Sequence, residues 1–168
     1  LNVQLSHDDQ GHNIDLNQHT MITTTVFHEN NQPAQQEKEE IIAFLYDQLE
    51  QYGDAREDIG KAVSYALKEG PAFGGYVIKG VADNKIAGVV VVNKTGMKGY
   101  IPENILVYIA THRALRGKGI GKHLMRKALE EAEGNVALHV EPDNPARYLY
   151  ETLGFTNKYL EMRYLKQS

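Results

Sequence analysis

The sequence predicts an α/β fold: one domain built on a mixed sheet with helices on both faces, in the order β-α-α-β-β-β-α-β-α-β. Three observations carry this. Short runs rich in β-branched residues alternate with segments whose apolar residues recur at helical spacing. Asp83-Asn84 sits between two long apolar runs, as a tight hairpin requires. The passage from 101 to 141 reads strand, glycine-rich turn, helix, strand, a crossover that is right-handed if its two strands are parallel neighbours.

Taken in order, "MITTTVFHE" from Met21 is a β-branched strand. "PAQQEKEEIIAFLYDQLEQYG" opens on proline and glutamates, carries Ile41, Leu45, Leu49 and Tyr52 at helical spacing, and closes at Gly53. A second helix, "DAREDIGKAVSYALKEGP", uses Ile59, Val63, Ala66 and Leu67 and ends at Gly70-Pro71. "GGYVIKGVADNKIAGVVVVNKTG" gives the two hairpin strands, and "NILVYIATH" another strand. In "GIGKHLMRKALEEAEG", Ile120, Leu124, Met125, Ala128, Leu129 and Ala132 share one helical face, with Gly134 past the end. "VALHV" is a short strand. "NPARYLYETLGF" is a helix with Asn144 as N-cap, Pro145 in the first turn and Gly154 as C-cap. "NKYLEMRYL" closes as a strand.

Composition narrows the function. The 168 residues suit one domain, here 21–168, preceded by a polar arm, 1–20. That arm starts with leucine and precedes Met21, which suggests a non-standard start or an upstream extension. The arm is expected to dock on the domain or on a neighbouring subunit. Its histidines His7, His12 and His19 lack the spacing and carboxylate pairing of a metal site, so no metal is expected. The chain has no cysteine, which excludes disulfides and thiolate chemistry. A net charge of −4 does not support a nucleic-acid footprint. No apolar run approaches the ~20 residues of a membrane span, and no signal peptide opens the chain, so the expected location is cytoplasmic.

The chemistry concentrates in "LRGKGIGKHLM", residues 115–125. Gly117, Gly119 and Gly121 stand where a strand turns into a helix, so the helix's first N–H groups, unpaired and at the positive end of the dipole, are open to an anion. Arg116, Lys118 and Lys122 add charge. The stretch is suited to phosphate. It is not a Walker loop, because the lysine comes too early and His123 replaces the magnesium-holding hydroxyl. It is not a dinucleotide fingerprint, because the spacing is GxGxG rather than GxGxxG.

"ATHRALRGKGIGKHLM" resembles the acetyl-CoA-binding motif R/Q-x-x-G-x-G/A of the GNAT family of N-acetyltransferases, with Arg116, Gly119 and Gly121 in its defined positions. "EPDNPARYLYETLGF" resembles that family's second motif, and "VADNKIAGVVVV", with Gly88, a third block. The likeness spans about 21–165. It implies a splayed sheet, with acyl-CoA between strands 103–110 and 136–141. It implies pyrophosphate on the backbone of Gly117, Lys118, Gly119, Ile120, Gly121 and Lys122. The pantetheine would pair along Ile109, Ala110 and Thr111, and Arg116 would orient the loop or reach a phosphate. Asn144 either contacts pantetheine or only caps its helix; the family's usual asparagine position falls on Asp143.

The resemblance further implies acetyl transfer from acetyl-CoA to a primary amine, on a small molecule or a protein, in a ternary complex. Tyr150 matches the tyrosine before L-G-F and is the expected general acid; Tyr148 lies off its face. The family's usual glutamate base is replaced here by Ile105, Leu106 and Val107. Glu103, on the face of Ile105, is the expected base, with His112 and His139 as alternatives, or water alone. The early helices, with Glu37, Glu39, Glu40, Asp47, Glu50, Asp54, Glu57 and Asp58, would form a wall of the acceptor cleft that attracts cationic amines or is simply a solvated face. A homodimer is compatible with this reading. The competing reading is an acyl-CoA-binding sensor of the same fold without turnover.

Overall fold

In the computed structural model, residues 21–166 are described. The chain runs β1 (Thr23–Phe27), α1 (Gln35–Leu49), a 3-10 turn (Glu50–Tyr52), α2 (Arg56–Ala66), β2 (Gly75–Ala82) and β3 (Lys85–Lys94). It continues with β4 (Asn104–Thr111), a second 3-10 turn (Arg113–Leu115), α3 (Ile120–Glu131), β5 (Val136–Leu138) and α4 (Ala146–Thr152). The five strands form one mixed sheet in the order β1-β2-β3-β4-β5, antiparallel except for the parallel pair β4–β5.

The hairpin expected at Asp83-Asn84 forms: both residues take positive φ, 50° and 59°, between the paired Ala82 and Lys85, the geometry of a two-residue turn that follows strand twist. β3 is buried on both faces, which is why "VVVV" shows no alternation. One face packs Val77, Val89 and Val91 against Ile41, Leu45, Ile59 and Val63 of α1 and α2. The other packs Ile78, Val90 and Val92 against Ile120, Leu124, Met125 and Ala128 of α3 and Tyr150 of α4. At roughly 1.5–3 kcal/mol per buried aliphatic side chain, these two layers are the principal favourable term in folding.

Two glycines set the height of α3. Gly80 and Gly88 face each other across β2 and β3. A Cβ at Gly88 would lie 2.5 Å from the Leu124 side chain and 3.0 Å from the Ala110 carbonyl; one at Gly80 would lie 3.0 Å from Leu124. Leu124 therefore sits in a hollow made by two missing side chains.

The strand that bears the site is irregular. In β4, Tyr108 pairs with Val91 and Leu106 with Val92, so Val107 is an extra residue, a bulge. Its effect is visible in the core. Leu106 and Tyr108, two apart, fall on opposite faces of the sheet rather than on the same one. Pairing with β5 stops at Leu106–Leu138, so from Val107 onward the edge of β4 away from β3 has no strand beside it. The sheet is splayed there.

Two expectations differ from the structure. The strand 136–141 is only three residues long, and the closing strand "NKYLEMRYL" does not pair. β5 offers a ladder of three residues, and the closing segment's apolar side chains are exposed, Leu160 at 86% and Met162 at 91%. The arm 1–20, its docking and its histidines lie outside the described residues.

Candidate active site: a backbone cradle beside a split sheet

β4 ends at Thr111, the 3-10 turn follows, and α3 begins at Ile120. Between them Gly117 and Gly119 take φ of 77° and 80°, a region that L side chains rarely adopt, and a Cβ on either would meet no protein atom within 4 Å. The glycines thus serve both to bend the chain left-handed and to keep the space before the loop clear. Arg116 N–H donates to Arg113 O, and the next backbone N–H to find an acceptor among the described residues is that of His123, on Gly119 O. Among the described residues, six successive N–H groups, 117–122, therefore have no partner. Three of them open α3 at its positive dipole end. Lys118 and Lys122 form no ion pair with a described carboxylate, so their charge adds to the same field. This donor set fits a pyrophosphate.

Gly121 marks where the parts meet. A Cβ there would stand 3.4 Å from both Leu149 of α4 and the Thr111 hydroxyl of β4. The cradle, the open edge of β4 (Ile109, Ala110, Thr111) and α4 are thereby brought together.

Arg116 orients the loop. Its guanidinium donates to Gln48 O (2.8 Å) and Thr111 O (3.4 Å) and pairs with Glu50 (3.4 Å). It ties the loop to the C-terminal end of α1, where a cation is favoured by the last carbonyls. Gln48, unremarked in the sequence, completes the tie: it is buried, and its Oε1 accepts the Arg113 N–H at 2.7 Å. The available signal was its place on the apolar face, seven residues after Ile41.

Tyr150 is 7% exposed, packs edge-on to Phe155 at 5.9 Å, and its hydroxyl bonds to no described residue. Burial pushes its pKa up to about 12, so the phenol keeps its proton at neutral pH. Tyr148 is 73% exposed, off this face. Asn144 caps α4, its Oδ1 accepting the Ala146 N–H at 2.9 Å.

Glu103 is not brought to the split. It precedes the first residue of β4, about 13 Å along the strand from the bulge at ~3.3 Å per residue. Its carboxylate accepts the N–H of Asn135 (2.8 Å) and of Gly99 (3.4 Å), and these backbone donors, Asn135 first, hold its pKa below the usual range. His112 Nδ1 accepts the Ala114 N–H at 3.2 Å and caps the 3-10 turn. His139 is exposed just past the last paired residue of β5.

The acidic wall is largely neutralised by its own neighbours. Glu37 pairs with Lys79, Glu39 with Arg56, Asp47 with Arg113, Glu50 with Arg113 and Arg116, and Glu57 and Asp58 with Lys61. Glu40 and Asp54 form no ion pair among the described residues: Glu40 accepts from Gln36 Nε2 at 3.0 Å, and Asp54 accepts the Tyr108 hydroxyl at 2.6 Å, one residue past the bulge. Burial first, and then Asp54, raise the Tyr108 pKa. Among the described residues no group of three or more His, Asp or Glu is placed to hold a metal, and no helix is long and apolar enough to cross a membrane.

Solved structures share this fold. The chain is similar in structure to a GNAT-family acetyltransferase from Streptococcus pneumoniae (18% identity, 88% of this chain and 100% of that one, TM-score 0.62). It is similar to a ribosomal-protein-alanine N-acetyltransferase from Brucella melitensis (18%, 87% and 99%, 0.58). It is also similar to an aminoglycoside N-acetyltransferase in complex with CoA (14%, 88% and 96%, 0.61). No curated protein matches the sequence. The model of the acetyltransferase (GNAT) family matches residues 41–155, which include the cradle, the bulged strand and Tyr150, and the chain belongs to that family.

Proposed function

We propose that the protein transfers an acetyl group from acetyl-CoA directly to a primary amine. The observation that supports this most is the run of six unpartnered N–H groups, 117–122, opening onto a β4 edge that has lost its neighbour. Pyrophosphate would rest on those N–H groups with Lys118 and Lys122. The pantetheine arm would take the place of the missing strand along Ile109, Ala110 and Thr111, and the free amide of Asn144 remains available to it.

The amine nitrogen attacks the thioester carbonyl, a C–N bond forms, and the C–S bond breaks. A backbone N–H on the open edge near Thr111 would stabilise the oxyanion. Tyr150 would donate its proton to the departing sulfur; with a pKa of about 12 it arrives protonated. The proton lost by the amine goes to water in this reading, since Glu103 holds a turn elsewhere and is a weakened base. Asp54, oriented by Tyr108, stands on the α1–α2 side of the split, where an acceptor would enter.

The test is a thiol-release assay with acetyl-CoA and amines of separate classes: aminoglycosides, polyamines, and peptides with a free amino terminus. Amine-dependent release of CoA thiol with one class supports the proposal. Tight acetyl-CoA binding with no amine-dependent release in any class would favour a binding module without turnover.

A further inference from the structure

The chain leaves α1 through a strained residue. Glu50 takes φ 54° and ψ −128°, outside the small left-handed region that L residues tolerate. Glycine is what such a helix exit ordinarily calls for. The exit is also tight: Gly53 donates its N–H to Glu50 O at 3.3 Å, and a Cβ on Gly53 would lie 2.9 Å from the Leu49 Cβ. A carboxylate therefore stands where the backbone favours no side chain. Its Oε1 pairs with Arg116 at 3.4 Å and with Arg113 at 3.9 Å, at a side-chain exposure of 41%. Ion pairs this long and exposed add less to stability than such a backbone costs. Stability alone does not account for Glu50.

What its ion pairs connect does. Arg113 and Arg116 bracket the 3-10 turn that leads into the cradle. They also hold the end of α1: Arg113 donates to Asp47 O at 3.2 Å and Arg116 to Gln48 O at 2.8 Å, while Gln48 Oε1 accepts the Arg113 N–H. Past Glu50 the chain reaches Asp54, which accepts the Tyr108 hydroxyl on the α1–α2 side of the split. Glu50 is thus the joint between the cradle loop and the wall where an acceptor would enter. Strained backbone persists only while its surroundings over-determine it. Here the two arginines of the cradle loop do so, and loosening them lets residue 50 relax and carries 51–54 away from β4. Resting on the acetyl-transfer reading above, we propose that Glu50 is a positioning residue. Phosphate on the cradle steadies Arg116, and through Glu50 it fixes the wall that receives the amine, so that CoA and the amine favour each other's binding. Coupling of this kind is reciprocal.

Two variants separate backbone from charge. Glu50→Gly relieves the strain and removes the carboxylate; Glu50→Gln keeps the strain and removes the charge. Hydrogen exchange of segment 50–55 is followed with and without saturating CoA, beside CoA affinity by calorimetry. In the parent protein CoA should slow that exchange at least about fivefold, the lower end of coupling between two sites. Both variants should lose this protection and still bind CoA. With an amine that is turned over, its KM should rise about tenfold in Glu50→Gly while kcat changes little. Glu50→Gly should melt no lower than the parent, which separates lost positioning from general destabilisation. Exchange in the parent that CoA leaves unchanged, protection that survives in either variant, or an unchanged amine KM would overturn the proposal. CoA that does not bind the parent would overturn the cradle reading and this proposal together. Protection by CoA in the parent, lost in both variants, without amine-dependent thiol release from any amine class would support the joint and overturn acetyl transfer alone.

Discussion

The proposed cradle and the proposed proton-donating side of the site are built in opposite ways. Residues 117–122 act through main chain: what matters is what is absent, two side chains at positive φ and six acceptors. Across Gly121, α4 presents one side chain, Tyr150, whose value lies in a single hydroxyl and in the burial that keeps it protonated. Damage to the first should cost binding. Damage to the second should cost rate alone.

The largest effect is expected at the cradle. Gly119→Glu places a carboxylate before the six donors, strains a left-handed backbone and repels phosphate. Acetyl-CoA affinity by calorimetry should fall at least ~100-fold, of the order of two charge-assisted hydrogen bonds lost. An unchanged affinity in a folded variant would remove the loop from the site.

On the other side, Tyr150→Phe keeps the ring against Phe155 and deletes the hydroxyl. Turnover should drop by ~10²-fold or more, the usual scale of general acid work, with acetyl-CoA affinity unchanged. Tyr148→Phe, on an exposed side chain, is the control and should change neither. Equal turnover in Tyr150→Phe, with chemistry rate-limiting, would make Tyr150 a packing residue and collapse the comparison.

A third substitution separates the cradle's placement from its chemistry. Gly88→Ala pushes a methyl into Leu124 and the Ala110 carbonyl, beneath the site, and adds no group to the cradle itself. Overpacking of this kind costs about 1–3 kcal/mol, to be read from the denaturant midpoint. If α3 shifts to relieve it, affinity falls with stability, though no group facing the ligand has changed.

These contrasts explain what was legible in the sequence. Glycine demanded by φ leaves its mark at one position, so Gly117, Gly119 and the Asp83-Asn84 turn could be read directly. The central strand and both helix pairs followed from local periodicity. The bulge at Val107 could not, because it arises from register against β3 and changes no residue type. Nor could the tie from Arg116 to Gln48, 68 residues away, which exists only when α1 and the loop are packed. Glu103 is the carboxylate nearest Ile105 in sequence, but Asn135 N–H and Gly99 N–H each claim one of its oxygens. The last strand had the right alternation and lacks a ladder among the described residues.

The smallest effect is expected where the sequence suggested catalysis. Glu103→Gln removes a charge that two backbone N–H groups stabilise. Its folded pKa is lowered, so its contribution to stability is present above the unfolded value of about 4.3 and is lost as pH falls through the folded one. The variant should therefore unfold at a slightly lower temperature than the parent at pH 7, and the gap should close as pH is lowered below about 4. Because the carboxylate is exposed, the difference stays small. Turnover and the basic and acidic limbs of the pH–rate profile should be unchanged. A variant that loses the acidic limb, or more than ~10-fold in turnover, would return Glu103 to the role of base and require the start of β4 to approach the acceptor during catalysis.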